Sequence, residues 1–144
     1  MANFFTQHYI DTVKHHSFDY KGRAPARKFG FYVLSQFLIL IAFILIAAVS
    51  MRLFTPLLVE KVGLAILLLW SLITLPATLC LTIRRLHDVG LSGWFVLLII
   101  FIGPILALLG LKSASNGVGF GIIGALCVIK SQPKGNRYGP APTL

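Results

Sequence analysis

Four uninterrupted apolar runs, separated by charged residues, constrain this chain more than any other feature. The segments between Lys28 and Arg52, Lys61 and Arg84, Asp88 and Lys112, and Lys112 and Lys130 hold 23, 22, 23 and 17 uncharged residues. A helix crossing roughly 30 Å of hydrocarbon needs about 20 residues, with about 17 as a lower limit. Three runs are long enough outright, and the fourth stands at the limit. The chain is 57% hydrophobic and 12% charged, with mean hydropathy +0.87, whereas soluble domains carry about 25% charged residues. These runs therefore predict an all-α membrane protein of four transmembrane helices, at about 31–51, 62–83, 94–111 and 115–129.

Topology follows from the charges. The net charge is +9, from 13 Lys and Arg against 4 Asp and Glu, and the basic residues stand at the edges of apolar runs rather than in one soluble block. That pattern reads as topology control and gives no reason to expect nucleic acid as a partner. Four crossings put Lys14, Lys21, Arg23, Arg27, Lys28, Arg84, Arg85, Lys130, Lys134 and Arg137 on one side and Arg52, Lys61 and Lys112 on the other. Three crossings would split them seven to six. Ten against three is the positive-inside distribution, with both termini cytoplasmic. The domain plan is then a cytoplasmic arm and basic turn over 1–28, a transmembrane domain over 29–130 and a cytoplasmic tail over 131–144.

In the arm, Phe5, Tyr9 and Val13 recur every four residues among Gln7, Asp11, Lys14 and His15. This is the pattern of a short amphipathic helix lying on the membrane surface. His8, Asp11 and His15 share a face at spacings compatible with a metal, but zinc wants three or four well-supported ligands, so a solvated face is expected and no metal is assigned. The first apolar run starts near residue 29 behind this polar arm, unlike a cleavable signal. Arg23, Arg27, Lys28, Phe29, Phe31 and Tyr32 then form a basic and aromatic anchor around Gly22 and Pro25.

Within the second run, Ser71, Thr74, Thr78 and Thr82 fall on one face with Pro76 among them. Such hydroxyls promote helix association and can satisfy carbonyls freed by proline, and a polar permeation path is the competing reading. Cys80 and Cys127 lie inside apolar runs, where a structural disulfide is not expected.

The stretch 84–94, RRLHDVGLSGW, concentrates the polar chemistry of the chain. Arg84 and Arg85 suit a helix C-terminus, Asp88 lies within reach of one of them if the helix adds a turn, and Gly90 suits a left-handed terminator. Ser92 reads as an N-cap for the third helix and Trp94 as its interfacial anchor. His87 and Asp88 are adjacent, but no nucleophile is fixed beside them, so no catalytic residue is assigned. Further on, GFGIIG at 119–124 matches G-x-G-x-x-G without a preceding strand or a following acidic residue, and predicts no dinucleotide or other cofactor. Gly117, Gly121 and Ala125 at four-residue spacing instead predict a smooth groove for close helix packing.

Together, FDYKGRAPARKFGFY, RRLHDVGLSGW and GNRYGP, in that order, resemble the DUF805 family of small bacterial inner-membrane proteins. Relatives often have one span before the NRYGP-like tail, where this chain has room for two. The resemblance implies a bacterial inner-membrane location, no established enzyme activity, and a focus on Arg23, Arg27, Arg84, Arg85, His87, Asp88, Gly90, Gly93, Trp94, Asn136, Arg137, Tyr138 and Gly139. Under the four-helix topology all three motifs meet on the cytoplasmic side, with five arginines facing only Asp19 and Asp88. Asp88 is expected to pair with Arg84 or Arg137, leaving the other arginines to bind anionic lipid headgroups or a partner subunit through forked hydrogen bonds. An accessory or interaction protein that joins a membrane protein partner or forms a homo-oligomer is the leading reading. A small oligomeric transporter or channel built on the hydroxyl stripe, and a membrane-surface enzyme using His87 and Asp88, are the alternatives.

Overall fold

In the computed structural model, which describes residues 9–15 and 17–142, the helices are α1 (Asp11–His15), α2 (Ala26–Ser50), α3 (Pro56–Asp88), α4 (Phe95–Leu108) and α5 (Lys112–Val128). No strand is present among the described residues; one isolated bridge joins Asn136 and Gly139. Two helices, α2 and α3, are long and apolar enough to cross a membrane, and α4 is a shorter apolar helix. At 1.5 Å per residue α2 is about 38 Å long and α3 about 50 Å, against about 21 Å for α4 and 26 Å for α5. A helix is present in each of the four apolar runs, but α4, at 14 residues, is cut shorter than the run that encodes it, while α5 keeps 17.

The boundaries have local causes. Pro25, extended at φ −66° and ψ 150°, precedes α2, and Pro56 occupies the first turn of α3 where its missing N–H is no loss. The connection therefore narrows to residues 51–55, and Glu60 and Lys61 belong to α3 instead of a loop. At its other end α3 continues past the hydrocarbon-length segment 62–83 through Arg84 to Asp88, because Arg and Leu sustain a helix that no longer needs lipid around it. Gly90, at φ +84°, ends it, with Leu91 N–H reaching the Leu86 carbonyl at 2.9 Å and Gly90 N–H the His87 carbonyl at 3.1 Å. Gly110, at φ +82°, repeats this pairing after α4. Both are the paired-bond helix stop that a left-handed residue permits. Ser92 does not cap α4: Trp94 stands at the cap position, and the Ser92 hydroxyl only meets the Trp94 N–H at 3.5 Å.

The core gathers at one end of the bundle, around Ala24, Phe29, Tyr32, Leu81, Leu86, Val96 and Leu126. Against it the arm departs from the expected surface-lying helix. Tyr9 stacks on Tyr32 at 5.3 Å and on Trp70 at 6.2 Å, and Thr12 is fully buried. The arm packs its stripe into the α2–α3 seam because those rings offer a protein partner for it. Phe5 and His8 lie outside the described residues, as does the His15 side chain, and with them part of the His8, Asp11 and His15 trio.

The hydroxyl stripe bonds its own helix: Ser71, Thr74, Thr78 and Thr82 donate to the carbonyls of Leu68, Trp70, Thr74 and Thr78. None of these is the Leu72 carbonyl that Pro76 leaves without its usual donor. With the Thr78 proton committed to Thr74, the Tyr32 hydroxyl donates to Thr78 Oγ1 at 2.8 Å, Gln36 Nε2 donates to Tyr32 at 3.0 Å, and Trp70 Nε1 donates to Gln36 at 3.2 Å. This ladder pins α2 to α3.

The groove of Gly117, Gly121 and Ala125 is a correction. All three are exposed, and a Cβ built on Gly117 or Gly121 meets nothing within 4 Å, so no helix of this chain sits there. Close approach of α4 and α5 runs instead through Gly103, whose carbonyl accepts the Ser115 hydroxyl at 2.8 Å and whose Cβ position lies 3.5 Å from the Ser115 carbonyl oxygen.

Candidate functional site

All three motifs meet at the core end, and Asp88 is where they are tied. Its carboxylate, fully buried, takes the Arg23 Nε at 3.0 Å on Oδ1 and the Arg85 Nη1 on Oδ2. The pairing with Arg84 or Arg137 expected from sequence does not occur. Arg85 is one helical turn from Asp88, and the basic turn carries Arg23 over it, held by the Ala24 N–H on the Arg84 carbonyl at 3.0 Å.

Each arginine directs most of its remaining donors to backbone carbonyls. Arg85 gives Nε to the Leu126 carbonyl at 2.7 Å and Nη2 to the Ile129 carbonyl. Leu126 lies in the last turn of α5, whose carbonyls have no partner within the helix, so a cation from a different helix caps it and complements its dipole. Arg23 gives Nη2 to the Gln132 carbonyl at 2.7 Å and Nη1 to the Lys134 carbonyl at 2.9 Å. Asn136 Nδ2 donates to the His87 carbonyl at 2.9 Å, while its side-chain oxygen accepts the Tyr138 N–H. The tail is thus held by motif residues, although its sequence has no periodicity of its own.

Such a knot has a definite electrostatic logic. A buried carboxylate is tolerated when charge partners and hydrogen bonds replace water. The side chains of Arg23, Arg85 and Asp88 are 1%, 0% and 0% exposed, so neither arginine has a face left for a ligand. Their role is to join turn, helix end and tail.

Beside the knot opens a cleft of about 490 Å³, with Tyr20, His87, Trp94 and Tyr138 at its rim and Val96 and Leu97 in its apolar wall. The His87 and Tyr138 rings stack at 3.8 Å and 5°. The Arg137 guanidinium lies 4.8 Å from the Tyr138 ring, necessarily on the opposite face from His87. His87 Nδ1 lies 3.3 Å from the Gly22 carbonyl, which can only accept, so the neutral ring carries its proton there. Burial pushes the His87 pKa below its ordinary value; the Gly22 bond opposes this and the Arg137 charge adds to it. Gly93 closes the cleft floor where a Cβ would stand 2.9 Å from Ile83 Cγ2 and 3.1 Å from His87 Nε2. Trp94, 78% exposed, projects outward.

The other motif residues lie nearby. Arg84 meets Asp19 at 3.7 Å, with its Nε and Nη1 buried and without hydrogen-bond partners. Arg27 is exposed, 6.0 Å from the centre of the Phe31 ring. No group of three or more His, Cys, Asp or Glu among the described residues is placed to hold a metal. Sequence reasoning missed Gly22, Tyr20 and Gln132, and it missed the carbonyls of Leu126 and Ile129. A carbonyl acceptor has no side-chain signature, whereas Tyr20, two residues from the GRAPAR turn, was within reach of the aromatic argument applied to Trp94.

With this geometry in place, comparison with known families decides the affiliation. The profile described as protein of unknown function (DUF805) matches residues 17–140, from the basic turn to the tail and so through every segment of the knot. The chain belongs to the DUF805 family. No curated protein and no solved structure matches it. The match to DUF805 begins at the turn, and the knot residues Arg23, Arg85, Asp88 and Asn136 all fall within it.

Proposed function

We propose that this DUF805 protein is a bacterial inner-membrane accessory protein, not an enzyme, that crosses the membrane four times with both termini cytoplasmic and holds an anionic lipid headgroup in the cleft beside the knot. The observation that carries this reading is the cleft itself, with an apolar wall and a rim of interfacial aromatic rings, one of which, Tyr138, has the Arg137 guanidinium 4.8 Å from its centre. Apolar wall, aromatic belt and cation are what the tail, glycerol region and phosphate of a lipid need in sequence. Lys14, Lys21, Arg27, Lys130 and Lys134 are exposed at the same end and supply a cationic field around it. Binding of turn, loop and tail to one another supports an even number of crossings, because the residues on either side of α4 and α5 share one end of the bundle.

The hydroxyl stripe lends little to a transport reading, since each of its hydroxyls donates to its own helix.

The test is lipid retention. Purified in mild detergent, the Arg137→Gln, Trp94→Ala double variant should hold its anionic phospholipid about tenfold less tightly than the parent, the change that loss of one charge-assisted hydrogen bond brings. Neutral phospholipid should be unaffected. Equal anionic retention in both proteins rejects the cleft as the headgroup site.

A further inference from the structure

His87 turns one ring nitrogen to the protein and leaves the other for the cleft. Its Nδ1–H is committed to the Gly22 carbonyl at 3.3 Å, so in the neutral ring Nε2 carries a lone pair and no proton. No donor among the described residues meets that lone pair. The ring cannot turn to find one, because its face lies on Tyr138 at 3.8 Å and 5° while Nδ1 holds Gly22. Gly93, which lines the same cleft, keeps the nitrogen open. A Cβ there would stand 3.1 Å from Nε2 and 2.9 Å from Ile83 Cγ2, so any other residue would cover the acceptor or displace Ile83. The cleft thus carries a fixed hydrogen-bond acceptor whose donor must come from outside the chain.

That donor is a hydroxyl or an ammonium, and the surrounding charge separates the two. Burial first, and then the Arg137 charge, hold His87 below its ordinary pKa. A positive potential that disfavours a second proton on the ring disfavours an ammonium at Nε2 for the same reason. Lys14, Lys21, Arg27, Lys130 and Lys134, exposed at this end, add to that potential. A hydroxyl brings the proton without the charge.

We infer that the cleft selects, among anionic phospholipids, one whose headgroup ends in a free hydroxyl, as in phosphatidylglycerol, with His87 Nε2 accepting that hydroxyl. This rests on the cleft being the headgroup site. The Arg137 guanidinium and the His87 ring lie on opposite faces of Tyr138, at 4.8 Å and 3.8 Å from its centre, so the phosphate and the hydroxyl of one headgroup bracket that ring. A soluble glycerol phosphate shares the headgroup chemistry but leaves the wall of Ile83, Val96 and Leu97 uncovered, so the lipid is the occupant.

Three lipids with the same acyl chains test this on the full chain in mild detergent. They are phosphatidylglycerol; phosphatidylethanol, which has the same single negative charge and no headgroup hydroxyl; and phosphatidylethanolamine. The parent should hold phosphatidylglycerol about tenfold more tightly than phosphatidylethanol, the worth of one hydrogen bond. His87→Phe keeps a ring against Tyr138 and removes Nε2, and should bring that ratio close to one. Gly93→Ala with Ile83→Ala, the second change making room for the first, covers Nε2 while His87 keeps its Gly22 bond, and should do the same even where His87→Phe fails to fold. Equal retention of phosphatidylglycerol and phosphatidylethanol by the parent overturns the hydroxyl assignment, whereas the cleft as headgroup site is judged separately by Arg137→Gln with Trp94→Ala. A preference that survives both variants overturns it too. So does tighter retention of phosphatidylethanolamine than of phosphatidylethanol, which gives Nε2 to an ammonium. Displacement of bound phosphatidylglycerol by an equal concentration of glycerol 3-phosphate gives the site to a soluble ester and overturns the lipid.

Discussion

The two ends of the α2–α3 hairpin are built by opposite means. At the knot end Arg23, Arg85 and Asp88 are buried and satisfied, and chain segments far apart in sequence are fastened through them. At the other end Leu53, Phe54, Leu57 and Leu58 are at least half exposed, and the helices part around an apolar cavity. In a bilayer, apolar surface gains little by leaving lipid, so the second end has no reason to close upon itself. Order at the first end is specified by polar groups with few alternative partners. The contrast teaches that in this chain charge, not hydrophobicity, determines where the fold is unique.

The strongest way to break that contrast is Arg85→Met. It leaves α5 without its cap and Asp88 with only half of its charge partners, and truncating a buried pair costs about 3–5 kcal/mol. Thermal unfolding in detergent should drop sharply, with new protease cleavage in the tail. A melting point within a few degrees of the parent would show that the knot does not govern stability.

Acidification should loosen the same end more mildly. His87 is held below its ordinary pKa, chiefly by burial, so the folded form binds the proton less readily than the unfolded form does. The contribution is present above the unfolded value of about 6.5 and is lost as pH falls below it toward the folded value. Parent melts between pH 7.5 and 5.5 should show this loss, and His87→Phe should remove it. An identical pH slope in the two proteins would place the sensitivity elsewhere.

The smallest effect sharpens the comparison from the other direction. Gly121→Leu adds a large side chain to an exposed face of α5 where nothing is within 4 Å, and should change stability by no more than about 0.5 kcal/mol. A large loss in lipid but not in detergent would reveal an interface with another molecule on that face.

Much of this was legible in the residues. The apolar runs gave four helices, and Gly90 ended α3 where its left-handed freedom suggested. Arg84 and Arg85 do stand in the closing turns of α3, which runs the one further turn to Asp88 that brings the carboxylate to Arg85. The wider role of Arg85 was hidden, since its other acceptors are main-chain oxygens of Leu126 and Ile129 and any sequence would supply those. Reading Arg23 as a ligand donor failed for the same reason. The spacing of Gly117 and Gly121 correctly described a smooth surface but could not say which way it faced.

Arg85 capping α5 also sets an order of events during synthesis. Arg23, Arg85 and Asp88 are all made before Leu126, Ile129 and Gln132, so a nascent chain holds its acid and its two bases together while the oxygens meant for the remaining guanidinium donors do not yet exist. Until they arrive, the two long apolar helices carry a hydrated, unfinished polar cluster at their end. A chain interrupted before Leu126 retains the two long apolar helices but lacks the acceptors that let Arg85 leave water.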